Sequence, residues 1–232
     1  MKIITAYSHK GGTGKTTALL LLASAIEAQG STCLLVDCDP HQSFKAFQQY
    51  APHDWPDSFE VVYYDYEKTD IDVIESALLD ADESGKYDYC LINLSGVDHP
   101  FNRKVIRYAE VTLVPFAPAA LDLMEIPSAL AAIRDLDEAG EVGQARIVFT
   151  KMKGRMSVAQ NAYHATAIED FPTLETQIKE TATMGDLVMK GLLARSAAQT
   201  DKITPLDSKR LLETLEGGVA LLAEIDSIVA EA

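Results

Sequence analysis

The sequence predicts an α/β fold in which a predominantly parallel sheet is flanked by helices on both faces. Six short apolar runs of strand length alternate along the chain with segments of helical pattern. Parallel strands need such crossover segments, because each strand must return to the same edge of the sheet before the next one begins. A glycine-rich segment at residues 10–14 stands between the first apolar run and the first helical segment. We expect one domain that covers residues 1–232.

Apolar residues bounded by turn-forming residues define the predicted strands. These strands are Ile3–Tyr7, Thr32–Val36, Val61–Tyr64, Tyr89–Leu94, Val111–Phe116 and Ile147–Thr150. An irregular loop marked by Pro52, Trp55 and Pro56 precedes the third of them. The dipeptide Phe171-Pro172 precedes a last predicted strand at Leu174–Ile178.

Helical segments fill the intervals between the strands, and several carry an apolar stripe. The predicted helices are Thr16–Gln29, Ser43–Tyr50, Ile71–Glu83, Asn102–Tyr108 and Leu121–Ala139. A last helix, Pro205–Ala230, has apolar residues at three- and four-residue steps on an otherwise acidic surface. We expect it to pack on the domain. A membrane-binding helix would carry lysines beside its apolar face, so we expect no membrane association.

The segment Lys10–Thr17 has the sequence of a phosphate-binding loop. It follows an apolar strand and opens a helix rich in alanine and leucine. Its glycines let backbone N–H groups wrap around a triphosphate, and the positive end of the helix dipole points at the same anion. Lys15 is the expected contact of the β- and γ-phosphates, and Thr16 is the expected Mg²⁺ ligand. The predicted ATP-binding residues of this segment are Gly11, Gly12, Thr13, Gly14, Lys15, Thr16 and Thr17.

The loop departs from the ordinary motif, because His9 stands where that motif has glycine and Lys10 precedes the paired glycines. In these residues the chain resembles the deviant P-loop ATPases of the ParA/MinD family. The resemblance implies a homodimer in the ATP state, in which Lys10 of each protomer reaches the site of the other. Similarity over the whole chain, including Leu121-Asp122, points to the ParA-like ATPases of conjugative or tumour-inducing plasmids. Partition ATPases of chromosomes and plasmids are the alternative branch.

Two carboxylates follow the second strand, in the segment Asp37-Cys38-Asp39-Pro40. In open α/β sheets, ligands bind at the carboxyl ends of the strands. By motif position, the resemblance implies that Asp37 lies near the Mg²⁺ ion and that Asp39 orients the attacking water. Phosphoryl transfer needs this charge neutralisation and positioning more than it needs covalent catalysis. We therefore assign catalytic roles to Lys10, Lys15 and Asp39 and metal-binding roles to Thr16 and Asp37. An Asp-Pro turn without function is the alternative.

The fourth strand ends with Asn93, where the family resemblance leads us to expect an acidic residue that holds a Mg²⁺-bound water. An amide oxygen accepts a hydrogen bond from that water but brings no charge. We therefore predict slow hydrolysis. The following segment, Leu94–Pro100, is predicted to sense the γ-phosphate, because Gly96 permits backbone rearrangement. His99 receives no catalytic role. At the end of the sixth strand, the resemblance implies that Phe149 and Thr150 contact the nucleotide base.

The chain is acidic, with a net charge of −15, but the charge is unevenly distributed. Residues 151–210 carry nine Lys and Arg against seven Asp and Glu, so only this segment could present a basic face to non-specific DNA. Its candidate DNA contacts are Lys151, Lys153, Arg155, Lys179, Lys190, Arg195, Lys202, Lys209 and Arg210. A protein adaptor or activator is the other expected partner. The N-terminal strand and the three cysteines, which we expect to be buried and free, indicate a cytoplasmic protein.

Three functions fit these residues. The first is an ATP-dependent dimerisation switch with slow ATP hydrolysis, which positions or segregates DNA or a DNA-transfer complex by plasmid partition or conjugative transfer. The second is an ATP-dependent metabolic enzyme on the same scaffold, such as a ligase. The third, motivated by Asn93, is a nucleotide-binding scaffold that does not hydrolyse ATP.

Overall fold

The computed structural model describes residues 1–97, 99–136 and 143–231, and it contains a seven-stranded sheet. Every strand pairing in this sheet is parallel, and the strand order is β3-β2-β4-β1-β5-β6-β7. The strands are β1 Lys2–Ala6, β2 Cys33–Cys38, β3 Phe59–Tyr63, β4 Tyr89–Leu94, β5 Val111–Phe116, β6 Gln144–Met152 and β7 Thr173–Lys179. The predicted fold class is confirmed.

Ten helices are present in the described part of the chain. They are α1 Lys15–Ala28, α2 Ser43–Gln49, α3 Ile71–Glu83, α4 Pro100–Ile106, α5 Ala120–Arg134, α6 Val158–Asp170, α7 Ala182–Gly185, α8 Leu187–Lys190, α9 Leu193–Ala197 and α10 Pro205–Glu231. The buried apolar residues form two clusters, one on each face of the sheet. Helices α1, α2 and α7–α10 cover one cluster, and α3–α6 cover the other.

The central strands contain almost no polar residues because they are buried on both faces. Strands β2, β4 and β5 are buried along their whole length. Continuous apolar runs of this kind are typical of parallel sheets covered by helices on both sides. Cys33, Cys38 and Cys90 belong to these strands and are buried and free, as the sequence predicted. Burial raises the pKa of all three thiols, because a thiolate loses its hydration there.

Besides shifts of one to three residues at the ends of other elements, the structure differs from the predicted elements in three main respects. Strand β2 continues through Cys38, so Asp37 lies inside the strand rather than after it. Helix α5 ends at Arg134, and the remainder of the predicted helix to Ala139 reaches residues 137–139, which lie outside the described part. The sequence analysis missed α6 and the short helices α7–α9. Helix α6 buries only Ala167 among its residues, so it lacks the apolar stripe that reveals a helix.

Helix α10 packs against α1 through a close contact at Gly218, as expected for a helix that covers the domain. A Cβ atom at Gly218 would lie 2.9 Å from Leu21 Cδ1 and 3.0 Å from the Leu21 carbonyl oxygen. No atom lies within 4 Å of a Cβ built at the neighbouring Gly217. Among the described residues, no helix has both the length and the apolarity needed to cross a membrane.

These two glycines give a matched pair of substitutions. We expect Gly217→Ala to raise the free energy of unfolding by about 0.5–1 kcal/mol, because alanine restricts the unfolded chain and favours a helix. Gly218→Ala gains the same propensity but pushes α10 away from Leu21. Urea denaturation should therefore place Gly218→Ala about 1–3 kcal/mol below Gly217→Ala. Equal stabilities for the two variants would show that α10 does not approach α1 this closely.

Candidate nucleotide site

A cavity of about 530 Å³ opens at the carboxyl edge of the sheet, where β1, β2 and β4 end. It is lined by Gly11, Gly12, Gly14, Lys15, Thr16, Thr17, Asp39, Pro40, His41, Tyr66, Ser95, Gly96, Val97 and Lys151. The structure thus brings together the phosphate-binding loop, the first residues after β2 and the segment after β4. Parallel strands end at one edge, which explains why segments far apart in sequence meet here.

The phosphate-binding loop lines this cavity with its glycines and with the first residues of helix α1. Gly12 and Gly14 have φ angles of 75° and 106°, which residues with a side chain rarely adopt. Gly14 is the N-cap of helix α1 and has no side chain that could hydrogen-bond to the N–H groups of the first turn. Such a helix start binds anions through its free N–H groups and its dipole. The hydroxyl of Thr13 is buried without a hydrogen-bond partner in the described part of the chain.

Lys15 lies at the floor of the cavity with 7% of its surface exposed. Burial lowers the pKa of its ammonium, because the charged form loses water, while the negative charge of Asp39 raises it. Its Nζ atom lies 3.4 Å from the Lys10 carbonyl oxygen, a long hydrogen bond. A Cβ at Gly96 would lie 3.3 Å from this Nζ atom. The segment after β4 therefore approaches Lys15 closely, and the absence of a side chain at Gly96 keeps the space beside the ammonium open.

Three side chains form a hydrogen-bonded chain that leads from Thr16, at the cavity wall, into the interior. The Thr16 hydroxyl donates to Asn93 Oδ1 over 3.0 Å, and Asn93 Nδ2 donates to Asp37 Oδ1 over 2.9 Å. Asp37 also accepts from the backbone N–H groups of Phe44 at 2.8 Å and Asp39 at 3.1 Å. Burial raises the pKa of the Asp37 carboxyl, and the bonds from Asn93, Phe44 and Asp39 oppose that rise. Asn93 therefore links the predicted metal ligand Thr16 to the buried carboxylate.

Asp39 lines the cavity, but one of its oxygens is already in use. Its Oδ1 accepts from the His41 backbone N–H at 2.9 Å and lies 2.7 Å from His41 Nδ1. No described residue hydrogen-bonds to Oδ2, so this oxygen can accept from a water. That contact stays a prediction.

Lys10 takes a different direction from the other residues of the loop. Its ammonium forms an ion pair with Oδ1 of Asp122, a buried residue of α5, and it does not line the cavity of its own protomer. The exposed side chains of Leu121 and Met124 lie beside this pair on the same helix. The sequence analysis noted the Leu121-Asp122 pair but not its contact with Lys10, which is 112 residues away.

The end of β6 contacts the phosphate-binding loop, although it does so differently from the prediction. The Thr150 hydroxyl is buried and donates to the Thr13 carbonyl oxygen over 2.7 Å. Phe149, in contrast, points into the core, where its ring packs 5.7 Å from Phe116 and 4.2 Å from His164, centroid to centroid. Phe149 does not line the cavity, so the geometry gives no support to a base contact by its ring.

Asn102 was missed by the sequence analysis as a functional residue. It is fully buried, and its Nδ2 group donates to the Ser95 carbonyl oxygen at 3.2 Å, to Ser95 Oγ at 3.0 Å and to the Val97 carbonyl oxygen at 2.7 Å. These bonds hold the segment that approaches Lys15. His99 caps α4 by accepting from the Phe101 N–H at 3.2 Å, which is a structural role. The sequence contains no clear signal for Asn102, because Arg103 and Lys104 follow it and polar residues are common at a helix start.

Ion pairs neutralise much of the basic segment 151–210. Four of its nine cations pair with carboxylates: Lys153 with Glu180, Arg195 with Glu27, Lys209 with Glu213 and Arg210 with Asp207. Lys151 points at the phosphate-binding loop instead. The other four, Arg155, Lys179, Lys190 and Lys202, form no ion pair with a described residue. The structure therefore leaves a smaller basic surface than the sequence suggested.

This chain is similar to known proteins in both sequence and fold. A protein-family model described as "VirC1 protein" matches residues 1–232. The protein virC1 of Rhizobium rhizogenes is 27% identical over 239 residues, which cover 100% of this chain and 99% of that protein. Apo McdA of Cyanothece has a TM-score of 0.72 at 18% identity, covering 95% of this chain and 99% of the other.

A plasmid partition protein of Borrelia burgdorferi, bound to AMPPNP, has a TM-score of 0.66 at 14% identity, covering 93% and 97% of the two chains. These relatives confirm the predicted resemblance to ParA/MinD-type ATPases, including the branch found on tumour-inducing plasmids.

Substitution of Asn93 by aspartate tests the chain formed by Thr16, Asn93 and Asp37. Without metal, the new carboxylate faces Asp37 instead of donating to it, so the variant should lose about 3 kcal/mol of unfolding free energy at neutral pH. A carboxyl whose pKa is raised by folding makes the folded protein less stable as the pH rises. Burial raises the pKa of the Asp37 carboxyl, so the difference in unfolding free energy between variant and wild type should shrink as the pH falls and one carboxyl binds a proton. With Mg²⁺ and ATP, phosphate release should be faster than in the wild type. Unchanged turnover and unchanged metal-free stability would contradict this assignment.

Proposed function

Because this chain belongs to the VirC1 family, we propose that it is an ATP-dependent dimerisation switch with slow ATP hydrolysis. Its task is to position or segregate DNA or a DNA-transfer complex, as in plasmid partition or conjugative transfer. The observation that carries this proposal is the orientation of Lys10. Its ammonium pairs with Asp122 outside its own cavity, which suits a lysine that serves a neighbouring protomer. The chain shares the fold of ParA/MinD-type ATPases, and its relatives support a positioning role.

The residues of the cavity fit a magnesium nucleotide. The uncapped start of α1 offers N–H groups to phosphate oxygens, and Lys15 offers a buried ammonium. Thr16 would bind Mg²⁺ directly. Asp37 is connected to Thr16 through the hydrogen bonds of Asn93. When bound, Mg²⁺ neutralises charge on the phosphates. In the described residues no group of three His, Cys, Asp or Glu side chains forms a metal site.

Slow hydrolysis follows from Asn93. A carboxylate at this position would add a negative charge near the metal, whereas the amide is neutral and is already bonded at both ends. Asp37 is the only carboxylate of this hydrogen-bonded chain. We propose that Asp39 orients the attacking water and that Lys10 of the partner subunit and Lys15 stabilise the charge that develops on the phosphates. A weakly supported metal prolongs the ATP-bound dimer, which gives the switch a long closed state.

Measurement of molecular mass and phosphate release in the same sample tests the switch. With ATP and Mg²⁺ we expect a dimer that reverts to monomer as phosphate appears. Lys10→Ala should remove the dimer, because the lysine that crosses between protomers is lost, while nucleotide binding persists through Lys15. Lys68→Ala is the matched control, since Lys68 pairs with Asp65 at the surface and lies outside the cavity.

The other two functions give different results in that experiment. A stable dimer without phosphate release would identify a nucleotide-binding scaffold. Phosphate release only after addition of a small-molecule substrate would identify a metabolic enzyme. A dimer that forms equally well with Lys10→Ala would contradict the proposed role of this lysine.

Direct DNA contact would use the cations that are not neutralised by carboxylates. We expect the ATP-bound protein to shift non-specific DNA in a gel at low salt, and Lys179→Ala combined with Lys202→Ala to weaken that shift. Lys209→Ala is the control, since Lys209 faces Glu213 at 3.6 Å. Absence of any shift with ATP at low salt would remove DNA contact from the proposal. A protein adaptor would then connect the switch to its cargo.

A further inference from the structure

Lys151 has an unusual backbone conformation next to the candidate nucleotide site. Its φ angle is 53°, in the left-handed region that glycine adopts readily and lysine does not. It is the last residue but one of β6. Strained backbone of this kind persists only where the surrounding structure enforces it, and it is often found at functional sites. The conformation at Lys151 determines the direction of the lysine side chain.

The neighbouring contacts explain how the conformation is enforced. Thr150 binds the Thr13 carbonyl oxygen through its buried hydroxyl, at 2.7 Å. A Cβ at Gly14 would lie 3.1–3.3 Å from three atoms of the Thr150 side chain, so the two segments are in close contact. The chain then turns at Lys151 and directs its side chain back over the loop. The Lys151 ammonium donates to the Gly12 carbonyl oxygen and lies on the wall of the cavity.

From this geometry we propose that Lys151 is a further nucleotide-binding residue, whose ammonium binds phosphate oxygens of the nucleoside triphosphate. An ammonium has three protons to donate, and the Gly12 carbonyl oxygen accepts one of them. The remaining two are available to an anion in the cavity. Lys151 would act together with Lys15, which approaches the same loop from the floor. This inference rests on the proposed ATP site and adds to it a lysine outside the motif.

Lys151 differs in this respect from the next cation of the segment. Lys153 is two residues further along, pairs with Glu180 at 3.5 Å and does not line the cavity. Both lysines are exposed and both belong to the segment in which the sequence analysis placed candidate DNA contacts. Lys153→Ala is therefore a matched control for Lys151→Ala, because it removes an equal charge outside the cavity.

Titration of the full-length protein with fluorescent ATP and with adenosine tests this proposal. Lys151→Ala should weaken ATP binding about tenfold, the loss expected for one charge-assisted hydrogen bond at a partly exposed site. Adenosine binding should not change, because adenosine carries no phosphate. Lys151→Arg should retain most of the affinity, and Lys153→Ala should retain all of it.

Lys151→Gly separates ligand binding from a purely structural brace. Glycine relieves the left-handed backbone, so this variant should melt at a temperature equal to or above that of the wild type. It should nevertheless lose ATP affinity as Lys151→Ala does. A brace without a ligand role would instead lower the melting temperature in both variants and leave ATP affinity unchanged in the folded protein.

The remaining outcomes overturn the proposal in distinguishable ways. If Lys151→Ala and Lys151→Gly bind ATP as the wild type does while Lys15→Ala loses it, the ATP site stands and Lys151 has no part in it. If Lys151→Ala weakens only the DNA shift, Lys151 belongs to the DNA surface. If the wild type binds no ATP, the proposed function fails and the role of Lys151 fails with it.

Discussion

The parallel sheet, with β1 at its centre, is the constraint on which the site depends. Since all strands run in one direction, the segments after β1, β2, β4, β5 and β6 leave the sheet at one edge. The phosphate-binding loop emerges in the middle of this edge, between segments that follow its neighbours. Burial of the central strands on both faces holds these exit points in place. The cavity is a consequence of that arrangement, because no single segment supplies more than part of its wall.

Around the loop, polar contacts from other segments take the place of apolar packing. Thr150 holds the Thr13 carbonyl oxygen from one side, and Asn102 holds the segment that faces Lys15 from the other. The bonds to the carbonyl oxygens of Thr13 and Ser95 are buried, where an unsatisfied polar group is costly, so they define the positions of both segments. Asn102 belongs to α4, so its hydrogen bonds connect the segment after β4 to that helix.

Asn93 and Lys10 together define the character of the proposed switch. The amide of Asn93 hydrogen-bonds to Thr16 and Asp37 without adding a charge, and in the proposed switch it would support the metal weakly. Lys10 is held by Asp122, and this pair must open before the lysine can serve another protomer. In the proposed switch, the first feature would slow the end of the ATP-bound state and the second would oppose its beginning. A switch with both properties changes state rarely, which suits the positioning of a large cargo better than continuous turnover.

The sequence by itself determined the fold class, the phosphate-binding loop and most elements of regular structure. Strands Tyr89–Leu94 and Val111–Phe116 and helix Ile71–Glu83 were predicted with the bounds that the structure has, because local periodicity reflects burial directly. Helix α6 was missed because its surface is polar, although the capping box of Ser157 and Gln160 was a readable signal. The loop was recognised because phosphate binding requires glycine, lysine and threonine at this spacing.

Only the tertiary structure decided how distant residues share the site. The contacts of Lys10 with Asp122, Thr150 with Thr13 and Lys151 with Gly12 join residues more than 100 positions apart. Phe149 and Lys151 are close neighbours in sequence, yet one is buried in the core and the other reaches the cavity. Strand alternation alone would place both side chains on one face, so the left-handed backbone at Lys151 decides that difference. Side-chain direction at the end of a strand depends on packing against other segments, so the sequence pattern alone does not specify it.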